Sequence, residues 1–195
     1  MTKNTESWER FLNPTSLKTN LIVGSVYLTS FEILKDSIIN RLKDFFIEGI
    51  DDNGFIYNNK YKEKVLTLAK SPLKSSLVWL KNEEAINDKD IEDFNKINTF
   101  RNKLAHQMLD FIVNTPEDDF IDLLNKMIDL FSKIEKWWIL NVEIPTSSEY
   151  YENEINEEEV FSGTMLTLKL LLDIAIGDEN DSNKYYEHFF KNTKT

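Results

Sequence analysis

The 195-residue chain has no cysteine. That excludes disulfides, thiol catalysis and thiolate metal sites. It also suits a reducing, intracellular setting, so the expected location is the cytoplasm. Glycine and proline are scarce, with 5 and 4 residues, which fits long helices better than many short strands. There are only 2 histidines, and the carboxylates near His106 form no ligand pattern, so no metal or other cofactor is expected. Long apolar runs are missing too. The most apolar stretch, Met165 to Ile176, is too short to span a bilayer and contains Lys169 and Asp173. A buried core helix is expected there. The N-terminus shows no apolar run flanked by basic residues, so no signal peptide is expected. No phosphate loop, Ser/His/Asp arrangement or zinc-type spacing appears.

Hydrophobic residues make up 41% of the chain and aromatics 12%, enough to bury a substantial core. The length favours one domain. The expected architecture is all-α: an antiparallel bundle of four to six helices forming a single domain over residues 1–195. Its core would span about 15–140, an acidic loop about 144–156, and C-terminal helices about 158–191 packed on the bundle. Net charge is −11, a field that repels nucleic acid unless basic residues are concentrated locally. An extended duplex-binding surface is therefore disfavoured, whereas a small site acting on a flexible strand is compatible.

Local signals place the elements. Asn13-Pro14-Thr15-Ser16 opens a long helix with good capping chemistry. Its apolar positions, among them Leu21, Leu28, Phe31, Leu34, Ile38, Leu42 and Phe45, carry it to about Glu48, before the turn-rich Asp51-Asp52-Asn53-Gly54. A second stretch covers about Lys60 to Ala69, and Ser71-Pro72 starts a short helix through Leu80. Asp88 is expected to cap a third long helix from about Lys89 to Val113. Thr115-Pro116-Glu117-Asp118-Asp119 reads as the start of a fourth, ending near Leu140. Ile144 to Asn156 reads as an exposed loop. Glu157-Glu158-Glu159 is expected to open a core helix to Ile176, and Asn183 to Lys191 a short terminal one.

The third helix carries the chemistry. At about 100° per residue, Ile91, Phe94, Ile97, Leu104, Met108, Phe111 and Ile112 cluster on one arc, with Arg101 near its middle. A charge in an apolar stripe is costly unless it is paired, or unless the stripe borders a cleft or interface. Beside it runs an uncharged polar strip of Asn95, Asn98, Thr99, Asn102 and His106. Asn102 and His106 are an i,i+4 pair facing the same way. Guanidinium, amide and imidazole together suit RNA cleavage by internal transesterification. The 2′-hydroxyl must lose a proton, the transition state gains negative charge, and the leaving 5′-oxygen must gain a proton. A histidine moves protons in either direction near neutral pH. An arginine's fork matches phosphate oxygens, and an asparagine orients the phosphate or the imidazole.

Arg101-Asn102-x-x-Ala105-His106, late in a long helix and followed by another, resembles the signature of the HEPN superfamily: Arg, four to six residues, then His, often with a polar residue directly after the Arg. The resemblance implies a bundle of four or five helices and a homodimer whose two motifs meet in one cleft. It also implies metal-independent endoribonuclease activity, with RNA as substrate and a role as a toxin or in phage defence, with an antitoxin or defence-system partner. Arg101, Asn102 and His106 are then the catalytic set. In toxins paired with a small nucleotidyltransferase antitoxin, tyrosine usually stands two residues after the His. Met108 stands there in this chain, so the resemblance does not extend to a partner that modifies that position.

The alternative is a non-catalytic helical module that uses Arg101 and His106 to bind a nucleotide or to dimerise. Near the C-terminus, Tyr185-Tyr186 and Phe189-Phe190 flank His188 and read as an aromatic cluster packing on the bundle. Of Trp137-Trp138, one is expected in the core and the other at an interface.

Overall fold

The computed structural model describes residues 3–52, 54–113, 119–147 and 156–193. It is mostly helical. In chain order the elements are α1 (Lys3–Leu12), α2 (Pro14–Asp36), α3 (Leu42–Phe45), β1 (Ile47–Asp51), β2 (Gly54–Tyr57), α4 (Asn59–Tyr61) and α5 (Pro72–Asn82). They continue with α6 (Asp88–His106), α7 (Met108–Val113), α8 (Phe120–Trp138), α9 (Ile144–Thr146), α10 (Gly163–Ile176) and α11 (Glu179–Thr193).

Capping residues start α2 and α5 where the sequence suggests, and α6 one residue earlier. Asn13 Oδ1 accepts from the Thr15 and Ser16 amides at 2.9 and 3.2 Å, and Pro14 sits where its missing N–H costs nothing. Ser71 Oγ caps α5 in the same way. The cap of α6 is Asn87 and not Asp88: Asn87 accepts from the Asp90 amide, and Asp90 reaches back to the Asn87 amide, a reciprocal capping box. Asp88 is instead turned to Lys81. Asp119 precedes α8 without a side-chain cap. The Thr115-Pro116 start signal lies outside the described residues.

The first long helix departs from expectation in two ways. After Asp36 it widens into a π-helical turn, Ser37–Arg41, before α3 ends at Phe45. The chain then forms an antiparallel two-stranded hairpin, pairing Gly49 with Ile56 and Asp51 with Gly54. Gly54 adopts φ 113°, a conformation glycine tolerates. Both strands are largely exposed, so no in-out alternation announces them. Further π-helical turns occur at Lys62–Leu66 and Ile139–Glu143.

One apolar cluster joins α2, α5, α6 and α8. Tyr27, Phe31, Leu34 and Ile38 meet Phe94, Ile97, Phe100 and Leu104, with Met127, Phe131 and Ile134 of α8 filling the third side. The α6 stripe is thus covered by α2 and α8 of the same chain. A second copy is not needed to cover it. Trp138 is buried and stacks on Trp79 at 5.9 Å, while Trp137 is half-buried edge-on to the same ring.

The third helix is not continuous to Val113. At Gln107 (φ −124°, ψ 32°) it breaks, so His106 ends α6. The turn lays α7 on α2. A Cβ at Gly24 would lie 3.1 Å from the Met108 sulfur, and Asn20 Nδ2 donates to the Ile112 carbonyl at 2.8 Å.

The C-terminal region also differs from expectation. Glu157–Glu159 form a 3₁₀ turn capped by Asn156, and α10 begins only at Gly163 under a Ser162 cap. Only Leu168 of α10 is buried, whereas Leu166, Leu170, Ile174 and Ile176 are exposed. It lies on the bundle and is not a core helix. Tyr186, Phe189 and Phe190 on α11 are exposed too. Their rings contact one another and do not pack into the bundle core. Among the described residues, no helix is long and apolar enough to cross a membrane.

Candidate active site

The site is built where α2 and α6 cross. Tyr27 of α2 donates to the Ile97 carbonyl at 3.2 Å in the core. Ile97 lies one turn before Arg101, so this bond fixes the height of the turn from which Arg101 projects. Burial pushes the Tyr27 hydroxyl well above the ordinary tyrosine range, and it stays protonated as a donor.

Arg101 is half-buried, its side chain 31% exposed. Its guanidinium lies over the Phe31 ring, 5.3 Å from the centroid. One terminal nitrogen donates to Glu32 Oε1 at 2.5 Å and the other to Asn102 Oδ1 at 3.2 Å. Nε is enclosed and has no partner among the described residues. The charge on the apolar arc is therefore paired across the helix crossing, which is how the structure meets its cost. Glu32 is shared: its second oxygen accepts from Lys35 at 2.9 Å. The Lys35 hydrogen bond, and then the Arg101 one, hold the Glu32 carboxyl below the usual carboxylate range despite some desolvation.

Asn102 and His106 are exposed on α6, one turn apart. The structure brings Arg101 and Asn102 into contact. His106 makes no hydrogen bond or ion pair with either, or with any other of the described residues. It occupies the last position of α6. The polar strip is divided. Asn95 and Thr99 line a groove of about 610 Å³ between α6 and the start of α8, with Lys96, Lys103 and Lys126 facing Asp119 and Asp122. Asn102 and His106 stand outside it.

A second constellation has no counterpart in the sequence reading. Glu135 of α8 is buried, at 1% exposure. Ser37 Oγ donates to its Oε1 at 2.6 Å, and Arg41 donates to its Oε2 and also to Glu143. The π turns at 37–41 and 139–143 supply Ser37, Arg41 and Glu143. A groove of about 400 Å³ runs over this cluster and includes Glu32, Asp36, Asn40 and Asp44. The signal was present: on the α8 wheel, Glu135 falls on the apolar arc with Phe131 and Trp138, as Arg101 does on α6. Glu32 gave less warning, being a surface acid next to a core phenylalanine.

Among the described residues, no group of three His, Asp or Glu side chains is placed to hold a metal ion. Set against protein-family models, curated proteins and solved structures, the chain matches none of them.

Proposed function

We propose that the chain is a metal-independent endoribonuclease of HEPN type that cleaves RNA by attack of the 2′-hydroxyl. The observation that supports this most is the fixed guanidinium: Arg101 is oriented by Phe31, Glu32 and Asn102 on the helix that carries exposed His106 one turn beyond Asn102. Arg101 would bind the scissile phosphate and stabilise the charge developing on it. Asn102 would hold the phosphate or the imidazole. His106 would act as general acid/base. The 2′-oxygen forms a bond to phosphorus as the bond to the 5′-oxygen breaks, leaving a 2′,3′-cyclic phosphate and a 5′-hydroxyl. One proton is taken from the 2′-hydroxyl and one is delivered to the leaving oxygen.

Two proton transfers are served best by two histidines, and a homodimer with facing motifs would supply them. Exposed Leu109 of α7, three residues beyond His106, shares an apolar groove with exposed Trp8 of α1, and the two offer apolar surface for such an assembly. A toxin or defence role, with an antitoxin or defence-system partner, remains part of the proposal on the strength of the motif.

The test is incubation with single-stranded and structured RNA in chelator. Cleavage to cyclic-phosphate ends is expected, with His106→Ala and Arg101→Ala folded and inactive. Cleavage that survives His106→Ala would sink the assignment. Binding of nucleotide or protein without cleavage by wild type would favour the non-catalytic module, which the net charge of −11 also suits.

A further inference from the structure

Three groups hold the Arg101 guanidinium, and they are unequal. Phe31 provides a face and no direction in the plane. Asn102 is an exposed neighbour at 3.2 Å. Glu32 is the short, charge-assisted contact at 2.5 Å, and it comes from a different helix. We infer that Glu32 is a positioning residue for Arg101, setting the plane in which the guanidinium meets a phosphodiester; this rests on the ribonuclease reading of the site.

The contact orients without occupying the whole fork. Glu32 meets Arg101 through one oxygen and one terminal nitrogen, while its second oxygen is held by Lys35. Of the five N–H groups an arginine carries, the contacts to Glu32 and Asn102 use two. One hydrogen remains on each terminal nitrogen, and the side chain is 31% exposed. The cluster contains two cations and one anion, so it keeps one net positive charge toward an arriving phosphate. A bidentate Glu–Arg pair would have closed the fork to a phosphate. Neither Glu32, 47% exposed, nor Lys35, 40% exposed, is part of the core. Little stability is therefore at stake in the pair, and its geometric role can be separated from folding.

The experiment compares wild type, Glu32→Ala and Glu32→Gln in two readouts. The first is the arginine side-chain ¹H–¹⁵N spectrum, with Arg101 assigned through Arg101→Lys. Restricted terminal-nitrogen signals are expected in wild type and averaged ones in Glu32→Ala. The second is cleavage of a short single-stranded RNA in chelator. Glu32→Ala is expected to lower kcat by about 10- to 100-fold, the size of effect that slight misplacement produces, with KM changed far less and the thermal midpoint unchanged. Glu32→Gln keeps an acceptor oxygen and recovers part of the loss.

Wild-type kcat or an unchanged Arg101 spectrum in Glu32→Ala overturns the inference while leaving the ribonuclease reading intact. So does a loss that merely follows a lowered melting temperature. If wild type cleaves no RNA but the Arg101 signals still respond to Glu32→Ala, the positioning stands and the ribonuclease reading is the part that fails.

Discussion

Arg41 and Arg101 solve the same problem at two depths. Each is a guanidinium set against core aromatics, Trp138 for one and Phe31 for the other, and each is answered by a carboxylate from another helix. Glu135, the partner of Arg41, is fully enclosed, whereas Glu32 is half in water. Removing Arg41 would leave a buried carboxylate with Ser37 as its one side-chain donor among the described residues. Arg41→Ala should therefore cost about 3 kcal/mol, the lower end for a broken buried pair because Arg41 itself is partly exposed. Urea unfolding measures it, and a loss below about 1 kcal/mol would mean that water reaches Glu135. Arg101→Lys keeps the charge and loses the planar fork. Its effect on stability should stay under about 1 kcal/mol, as for an exposed pair, while RNA cleavage falls on the order of 10²-fold, as when one transition-state donor is removed. A parallel melt and rate assay separates the two effects. The wheel exposed Arg101 because a charge on an apolar arc demands a partner. It could not name Glu32, since any acid on the neighbouring helix would have served, and only the crossing of α2 on α6 selects one.

Helix α7 shows how an element can be dictated from across the structure. Nothing at Gln107 breaks a helix by composition, and the apolar spacing runs unbroken through Met108 and Ile112. The break follows from docking on Gly24, where the missing side chain admits Met108 and Phe111. Gly24→Ala should be nearly neutral. The helical gain of about 1 kcal/mol for replacing glycine is offset by moving a flexible methionine a few tenths of an ångström. Gly24→Leu should cost about 1–3 kcal/mol by overpacking and should raise amide exchange across 108–113 before the rest of the bundle. Unchanged exchange there would detach α7 from Gly24. The joint between α10 and α11 is tied instead by polar groups. Tyr185 donates to Asp173 at 2.6 Å, with Lys169 and Lys184 alongside. The Tyr185 hydrogen bond, and secondarily the lysines, hold the Asp173 carboxyl below its ordinary value. A carboxyl depressed in the folded state stabilises above its unfolded pKa, and that contribution is lost as pH falls through the folded one. Protection of α11 against amide exchange should thus hold from neutrality to about pH 4 and decline below it, and Tyr185→Phe should weaken it at every pH. The capped starts of α2 and α5 and the strongly periodic α8 were legible in the sequence. The hairpin was not, because neither strand lies against the core, and α10 misled because a mostly apolar helix ordinarily signals burial.

At the scale of the whole molecule, charge sets the terms on which any strand of RNA arrives. The net charge of −11 repels a polyanion, over a range of about 10 Å at 0.1 M salt, and added salt weakens that repulsion. At the Arg101 site the sign is locally opposite, since Lys35, Glu32 and Arg101 together keep one positive charge. The groove between α6 and α8 does not extend this into a track, because its lysines face Asp119 and Asp122 and Lys126 is paired with Asp122 at 2.6 Å. Productive contact should therefore neutralise only one or two phosphates. For single strands, log K falls with a slope of about −0.7 per phosphate contact against log salt. Two contacts would reduce affinity by less than about tenfold between 50 and 200 mM salt, and screening of the long-range repulsion should flatten even that. A protein with an extended basic groove would lose about a thousandfold or more over the same range. The measurement is kcat/KM on a short single-stranded RNA across that salt series, with Arg101→Lys as a control of equal charge. A near-flat profile is expected. A steep fall would place many more cations on the strand than the Arg101 site contains, and would move the binding surface away from the α2–α6 crossing.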